Sequence, residues 1–138
     1  MTTRKAQRLQ GLKESRKAIA ILQEKWPCAF PKKYSAVKPL ARSVTEAIVA
    51  GTGWNKDYTY GVLGAWKSRL AYCDAVLRDT IRIDIDGNAT DEVVDDTSRV
   101  MAEQKRKQVL ETRHRREARQ ANKMNDRTGM SRNLAAGL

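Results

Sequence analysis

Hydrophobic positions recur along the chain with two periods, and the changes of period mark out the elements. From Arg4 to Lys25, Leu9, Leu12, Ile19, Leu22 and Trp26 fall on one helical stripe among basic residues, and Pro27 ends that helix. The stretch "WPCAFPKKYSAVKP" is dense in proline and reads as a partly extended connector with aromatic anchors at Trp26, Phe30 and Tyr34. Pro39 then stands where a first helical turn accepts proline, and Leu40, Val44, Ala47 and Ile48 form one face of a second helix that stops at Gly51 and Gly53. Asn55 is a good N-cap for a third helix, with Tyr58, Val62, Trp66 and Leu70 on its stripe. Gly61 and Gly64 inside it weaken the helix, which points to a close backbone approach, a kink, or both. The pattern stays helical to Arg78, with a break expected between Trp66 and Ala71.

In "TIRIDIDGN", Thr80 to Asn88, the period drops to two. Ile81, Ile83 and Ile85 should face a core while Arg82 and Asp84 face away, and Asp86-Gly87-Asn88 makes the hairpin turn. Asp91, Glu92, Asp95 and Asp96 then crowd the expected start of a last helix, and Lys105, Arg106 and Lys107 follow, the polarity a helix dipole favours. Val93, Val94, Val100, Met101, Val109 and Leu110 can dock its first half; beyond Arg113 the apolar stripe fades into a basic tail. No internal repeat is present. The expectation is a mixed α/β fold, predominantly helical, in one small domain at 19–112 with a short β-hairpin. It is flanked by a helical basic extension at 1–18 and a basic tail at 113–138, a fraying helix and then disordered.

Charge sharpens that division. The 138 residues carry a formal net charge of +11. Residues 1–25 hold seven basic and two acidic side chains, 26–104 hold ten and eleven, and 105–138 hold ten and three. A near-neutral centre with two basic ends suits a module flanked by arms that grip a polyanion.

Other chemistry is sparse. Cys28 and Cys73 stand far apart with no Cys-x-x-Cys or Cys/His cluster, so two buried thiols in a reducing cytoplasm are expected. No apolar run is long enough for a membrane span or a signal peptide. A calcium loop in "RIDIDGNATDEV" fails, because aligning Gly87 with the invariant glycine puts Arg82 and Val93 at ligand positions. His114, the single histidine, lies among arginines with no nucleophile arranged beside it. With no glycine-rich phosphate loop, metal pair or nucleophile elbow, neither an enzyme, a cofactor, a metal nor a small-molecule substrate is expected. The start of the third helix, Asn55-Lys56-Asp57, does offer free N–H groups and a dipole to a phosphate, with Lys56 beside them.

Four segments in fixed order resemble the ProQ/FinO domain of bacterial RNA chaperones: "KWPCAF", with its cysteine one place early, "VKPLARSVTEAIVA", "WKSRLAYCDAV" and "RIDIDGNATDEV". The likeness covers about Ile19 to Gln108. It implies a cytoplasmic, monomeric, non-catalytic protein. Its partner would be RNA, small RNAs and mRNA 3′ ends, read at the base of a stem followed by a single-stranded U-rich 3′ tail, as at intrinsic terminators. Protection of RNA or promotion of RNA–RNA pairing would follow. The resemblance places Tyr72 and Arg82 in the pocket for the last nucleotides and the 3′ hydroxyl, Lys56 against stem phosphates and Lys38 near backbone phosphates. An arginine fork and an aromatic ring suit those roles. The sequence departs from the family pattern at Ala41, Tyr60, Gly64 and Ala71, where relatives carry basic residues. Arg42, Lys67 and Arg69 lie close enough to compensate, with Tyr60 and Trp66 as stacking surfaces.

Two other readings compete. A basic architectural protein would coat duplex DNA through its arms, and a protein-interaction domain would use its tails only for solubility.

Overall fold

In the computed structural model, which describes residues 4–136 with side chains from 13 to 124, five helices surround one short antiparallel hairpin. α1 (Arg4–Lys25) ends where Pro27 cannot extend it, and Ala18, Ile19 and Leu22 of its stripe are buried. Leu9 and Leu12 lie outside the described side chains. The connector that follows is anchored by Phe30, fully buried with its ring edge-on to Trp66 at 5.3 Å, and contains one 3₁₀ turn at Tyr34–Ala36.

Pro39 and Leu40 do not begin a helix. They stay extended, and Leu40 forms a parallel bridge with Ile83: Ile83 N–H donates to Pro39 O at 2.9 Å and Ala41 N–H donates to Ile83 O at 2.8 Å. A proline lends a carbonyl to such pairing without needing to donate, so the same residue that suits a first helical turn suits this strand edge. α2 (Ser43–Thr52) starts after it and stops at Gly53, whose φ of 77° is left-handed.

Asn55 caps α3 (Lys56–Lys67) as expected, its Oδ1 accepting from Tyr58 N–H at 2.7 Å. Thr59, Val62, Leu63 and Trp66 are buried. Gly61 and Gly64 are exposed, and a Cβ on either would meet nothing, so the close approach expected of them is absent. The break falls at Ser68 and Arg69: Ser68 turns its N–H and hydroxyl onto Gly64 O, and extended Arg69 precedes α4 (Leu70–Arg78).

β1 (Ile81–Ile83) pairs with β2 (Ala89–Val93), with an irregularity between the Ile81–Val93 and Ile83–Ala89 partners. Ile83 is buried and Ile85 packs against the core, but Ile81 is 46% exposed, because the bulged two-stranded ribbon twists its outer end off the domain. The Asp84 carboxylate accepts from Asp86 and Asn88 N–H at 3.0 and 2.9 Å and so closes the turn, where Gly87 has φ 89°. Asp91 and Glu92 belong to β2 and not to a helix start: once the turn closes at Asn88, the chain has a strand to complete. α5 (Asp96–Ala136) begins only afterwards and packs along α4. Val94, just before α5, and Ala102 on it are buried in the core, whereas Val93, Val100 and Met101 stay more than half exposed. From Glu111 to Met124 every side chain is exposed. Cys73 is a buried free thiol, but Cys28 is exposed, since the connector places it at the surface beside Gly87.

Candidate nucleic-acid interface

Tyr72 and Arg82 lie ten positions apart on different elements, and one peptide holds both. Leu40, locked in its bridge to Ile83, donates its N–H to Tyr72 Oη at 3.1 Å and accepts from Arg82 Nη1 at 3.1 Å through its carbonyl. Arg82 Nη2 also donates to Ser98 Oγ at 2.8 Å and to Asp95 Oδ1 at 3.3 Å, and the Ser98 hydroxyl donates to the same carboxylate. The side chain of Arg82 is 15% exposed. It is a fixed fork at the surface rather than a solvated strand arginine.

These contacts set the local electrostatics. The Ser98 hydroxyl above all, then the residue's own backbone amide and Arg82, hold the Asp95 carboxyl below its ordinary value. Burial raises the Tyr72 phenol, against the Leu40 N–H and Arg82, which favour the phenolate. Burial lowers the Lys67 ammonium, neighbouring Arg82 adds to that, and Glu92 partly opposes it. Lys67 is an exposed residue, yet enough protein surrounds its ammonium for burial to lead the shift.

Around Arg82 run two grooves of about 480 Å³ each. One lies between the Leu40 segment and β2, lined by Arg42, Lys67 and Arg82 with Glu92 and Asp95. The other lies between α4 and α5, lined by Tyr72, Met101 and Lys105 among others. Lys67, Arg82 and Ser98 line both, so the two grooves adjoin across a cationic wall and are together called the Arg82 channel.

The structure therefore brings Tyr72, Arg82, Lys67 and Arg42 together. Arg42 is tied in through its backbone, its N–H donating to both Glu92 carboxylate oxygens at 3.2 Å. Lys38 is exposed in the connector, and Lys56 and Tyr60 are exposed at the start of α3; none of them lines these grooves. Lys56 Nζ sits 5.9 Å from the Tyr60 ring, and the Asn55 side chain is committed to its cap. Trp66 cannot serve as a stacking surface. It is 2% exposed, because α3 turns that face onto Phe30, and the Arg69 guanidinium covers its ring at 5.0 Å. Tyr72, at 5% exposure, likewise offers no open ring face, and its hydroxyl accepts from Leu40 N–H. The sequence assigned Glu92 and Asp95 only to a helix start, and it gave Ser98 no role at all. The Asp95–Ser98 spacing at a helix start was the available signal, and it reads as an ordinary cap.

Fold and site together define a small helical domain with a hairpin-edged cationic channel. The ProQ/FINO family profile matches residues 12–122. The chain belongs to the ProQ/FINO family. It is similar to the NMR solution structure of a ProQ homolog from Legionella pneumophila, with 28% identity and a TM-score of 0.52 over 65% of this chain and 78% of that one. It also shares its fold with the crystal structure of a FinO-like RNA chaperone from Neisseria meningitidis, at 18% identity and TM-score 0.51, covering 80% and 98%. None of the curated proteins matches the sequence significantly. Among the described residues no group of His, Cys, Asp or Glu could hold a metal ion, and no helix is long and apolar enough to cross a membrane.

Proposed function

We propose that this protein is an RNA chaperone that grips the single-stranded 3′ end of a structured RNA in the Arg82 channel. Supporting this are the family membership and one observation above all: Arg82, prepositioned by Leu40, Asp95 and Ser98, shares its channel with Lys67 and Arg42. Phosphates of the last nucleotides meet Arg82 and Lys67, and the Tyr72 hydroxyl edge meets the terminal ribose. Lys56, at the dipole end of α3, takes a stem phosphate, with Lys38 and exposed Tyr60 near the path of the backbone. Residues 19–112 act as the reading unit and the segments 1–18 and 113–138 as basic arms. The cellular role is protection of small-RNA and mRNA ends or promotion of RNA pairing, in the cytoplasm, by a monomer.

The test is a titration near physiological salt against a terminator-like hairpin with a free 3′ hydroxyl, the same RNA ending in a 3′ phosphate, and duplex DNA of equal length. Preference for the free 3′ end, lost in Arg82→Ala, is the expected result. Equal and steeply salt-dependent binding to all three would replace this reading with non-specific coating by the arms.

A further inference from the structure

The groove between the Leu40 segment and β2 holds two carboxylates beside its three cations Arg42, Lys67 and Arg82. Asp95 has a part already, since with Ser98 it orients the Arg82 guanidinium. Glu92 has none. Among the described residues it accepts from a single donor, the backbone N–H of Arg42, shared between its two oxygens at 3.2 Å each. Arg42 is the N-cap residue of α2, so this N–H lies at the positive end of a helix dipole. The Glu92 charge also favours the ammonium form of Lys67, against burial and Arg82. A backbone N–H at a helix start and a neighbouring lysine are the partners a phosphate seeks, and here an anion of the protein's own has taken them.

The hold is light. One N–H split between two acceptors at 3.2 Å makes a weak bond. β2 pairs only with β1, through an irregular ladder, so the Glu92 side chain can swing out without disturbing the core. A phosphate seated on Lys67 and Arg82 would stand beside the carboxylate, and two like charges at that range repel. The groove therefore accommodates one or the other.

We propose that Glu92 is a built-in competitor: in the free protein its carboxylate fills the Arg42–Lys67 side of the Arg82 channel, and a phosphate of the entering RNA displaces it. The proposal rests on the RNA-end reading above and adds a threshold to it. A stray phosphate ion offers this groove little beyond what Glu92 supplies, whereas an RNA end also brings its contacts with Arg82 and Tyr72 and so drives the carboxylate out.

The experiment uses the full chain. Glu92→Gln keeps the size of the side chain and an oxygen for the Arg42 N–H but removes the charge. The variant binds a terminator-like hairpin with a free 3′ hydroxyl about two- to fivefold more tightly than wild type. Inorganic phosphate competes with that RNA at a lower concentration in the variant than in wild type. Asp91→Asn makes the same change of charge at an exposed position on the opposite face of β2, and leaves affinity where it was. In the wild type, the Arg42 amide signal of the ¹⁵N spectrum shifts when the RNA is added.

Unchanged or weaker RNA binding by Glu92→Gln overturns the competitor, as does an Arg42 signal that stays in place. An equal gain in Asp91→Asn overturns it too, by reducing the effect to net charge. A Glu92 that only tied β2 to α2 would lose RNA affinity together with the urea midpoint in both Glu92→Gln and Glu92→Ala, whereas a competitor gains affinity in both whatever the midpoint does. Arg82→Ala keeps the two levels apart. If it weakens RNA binding while Glu92→Gln brings no gain, the channel stands without a competitor; if it leaves binding unchanged, the channel reading has failed and the competitor with it.

Discussion

Replacing Tyr72 by phenylalanine removes one oxygen from a nearly closed site and leaves the ring volume in place. The Leu40 N–H that donates to that oxygen at 3.1 Å is buried, and the bridge to Ile83 uses the Pro39 carbonyl and the Ala41 N–H rather than this one. An orphaned buried amide costs about 1–3 kcal/mol. Against a total stability of about 5–15 kcal/mol and a urea m-value of about 2 kcal/mol/M, the midpoint of unfolding should fall by about 1 M with m unchanged. Because Tyr72 and Arg82 grip the same peptide, their effects should not add. A double-mutant cycle of Tyr72→Phe and Arg82→Ala should return a coupling of at least about 0.5 kcal/mol, whereas independent sites add to within about 0.3–0.5 kcal/mol. An unchanged midpoint, or additivity within that margin, would refute the view that Leu40 assembles the site. The alkaline limb offers a second readout. The folded-state phenol titrates above its ordinary 10.0, so its stabilising contribution is whole below about pH 10 and is lost as pH climbs through the raised value. Tyr72→Phe should lose that part of the decline and keep the part due to Tyr34, which burial and Asp74 also raise.

Three further outcomes are expected. Gly87→Ala combines a left-handed φ of 89° with a Cβ 2.7 Å from that of Cys28, and should destabilise by about 2 kcal/mol or more in urea unfolding; a neutral effect would mean that the turn does not rest on the connector. Asp74→Asn removes a carboxyl whose pKa, despite burial pushing it up, is held below the ordinary value by Tyr34 and Arg106; these groups are partly exposed, so about 0.2–1 kcal/mol of stability should disappear at neutral pH. That contribution exists above about pH 4 and vanishes as the wild type is acidified through the lowered pKa, so the variant's acid unfolding should be shallower, and parallel curves would contradict the bond. Lys67, lowered by burial and Arg82, should release its proton before an ordinary lysine at 10.5, so wild-type RNA affinity should decline with rising pH before that of Lys67→Arg; matching pH profiles would remove Lys67 from the phosphate site.

What could be read directly from sequence was what neighbours along the chain decide. The Ile19 and Leu22 end of the α1 stripe and its stop at Pro27, the Asn55 cap, the break at Ser68 and the turn at Gly87 each depend on residues within a few positions, where backbone sterics and short hydrogen bonds act. The ProQ/FinO motifs also placed Tyr72 and Arg82 as a pair. What only the tertiary structure decided came from partners far apart. Pro39 and Leu40 are extended because Ile83, more than forty residues on, offers them a ladder, and local propensity cannot encode that partner. The same bridge turns Leu40 into the clasp of the site. Trp66 left the interface for the core because α3 presents that face to Phe30, and Arg82 became a fixed fork because α5 begins where Asp95 and Ser98 meet its guanidinium. Periodicity gives a residue its face; which neighbour waits there is fixed only by packing the elements together, since burial and desolvation are properties of the assembled domain.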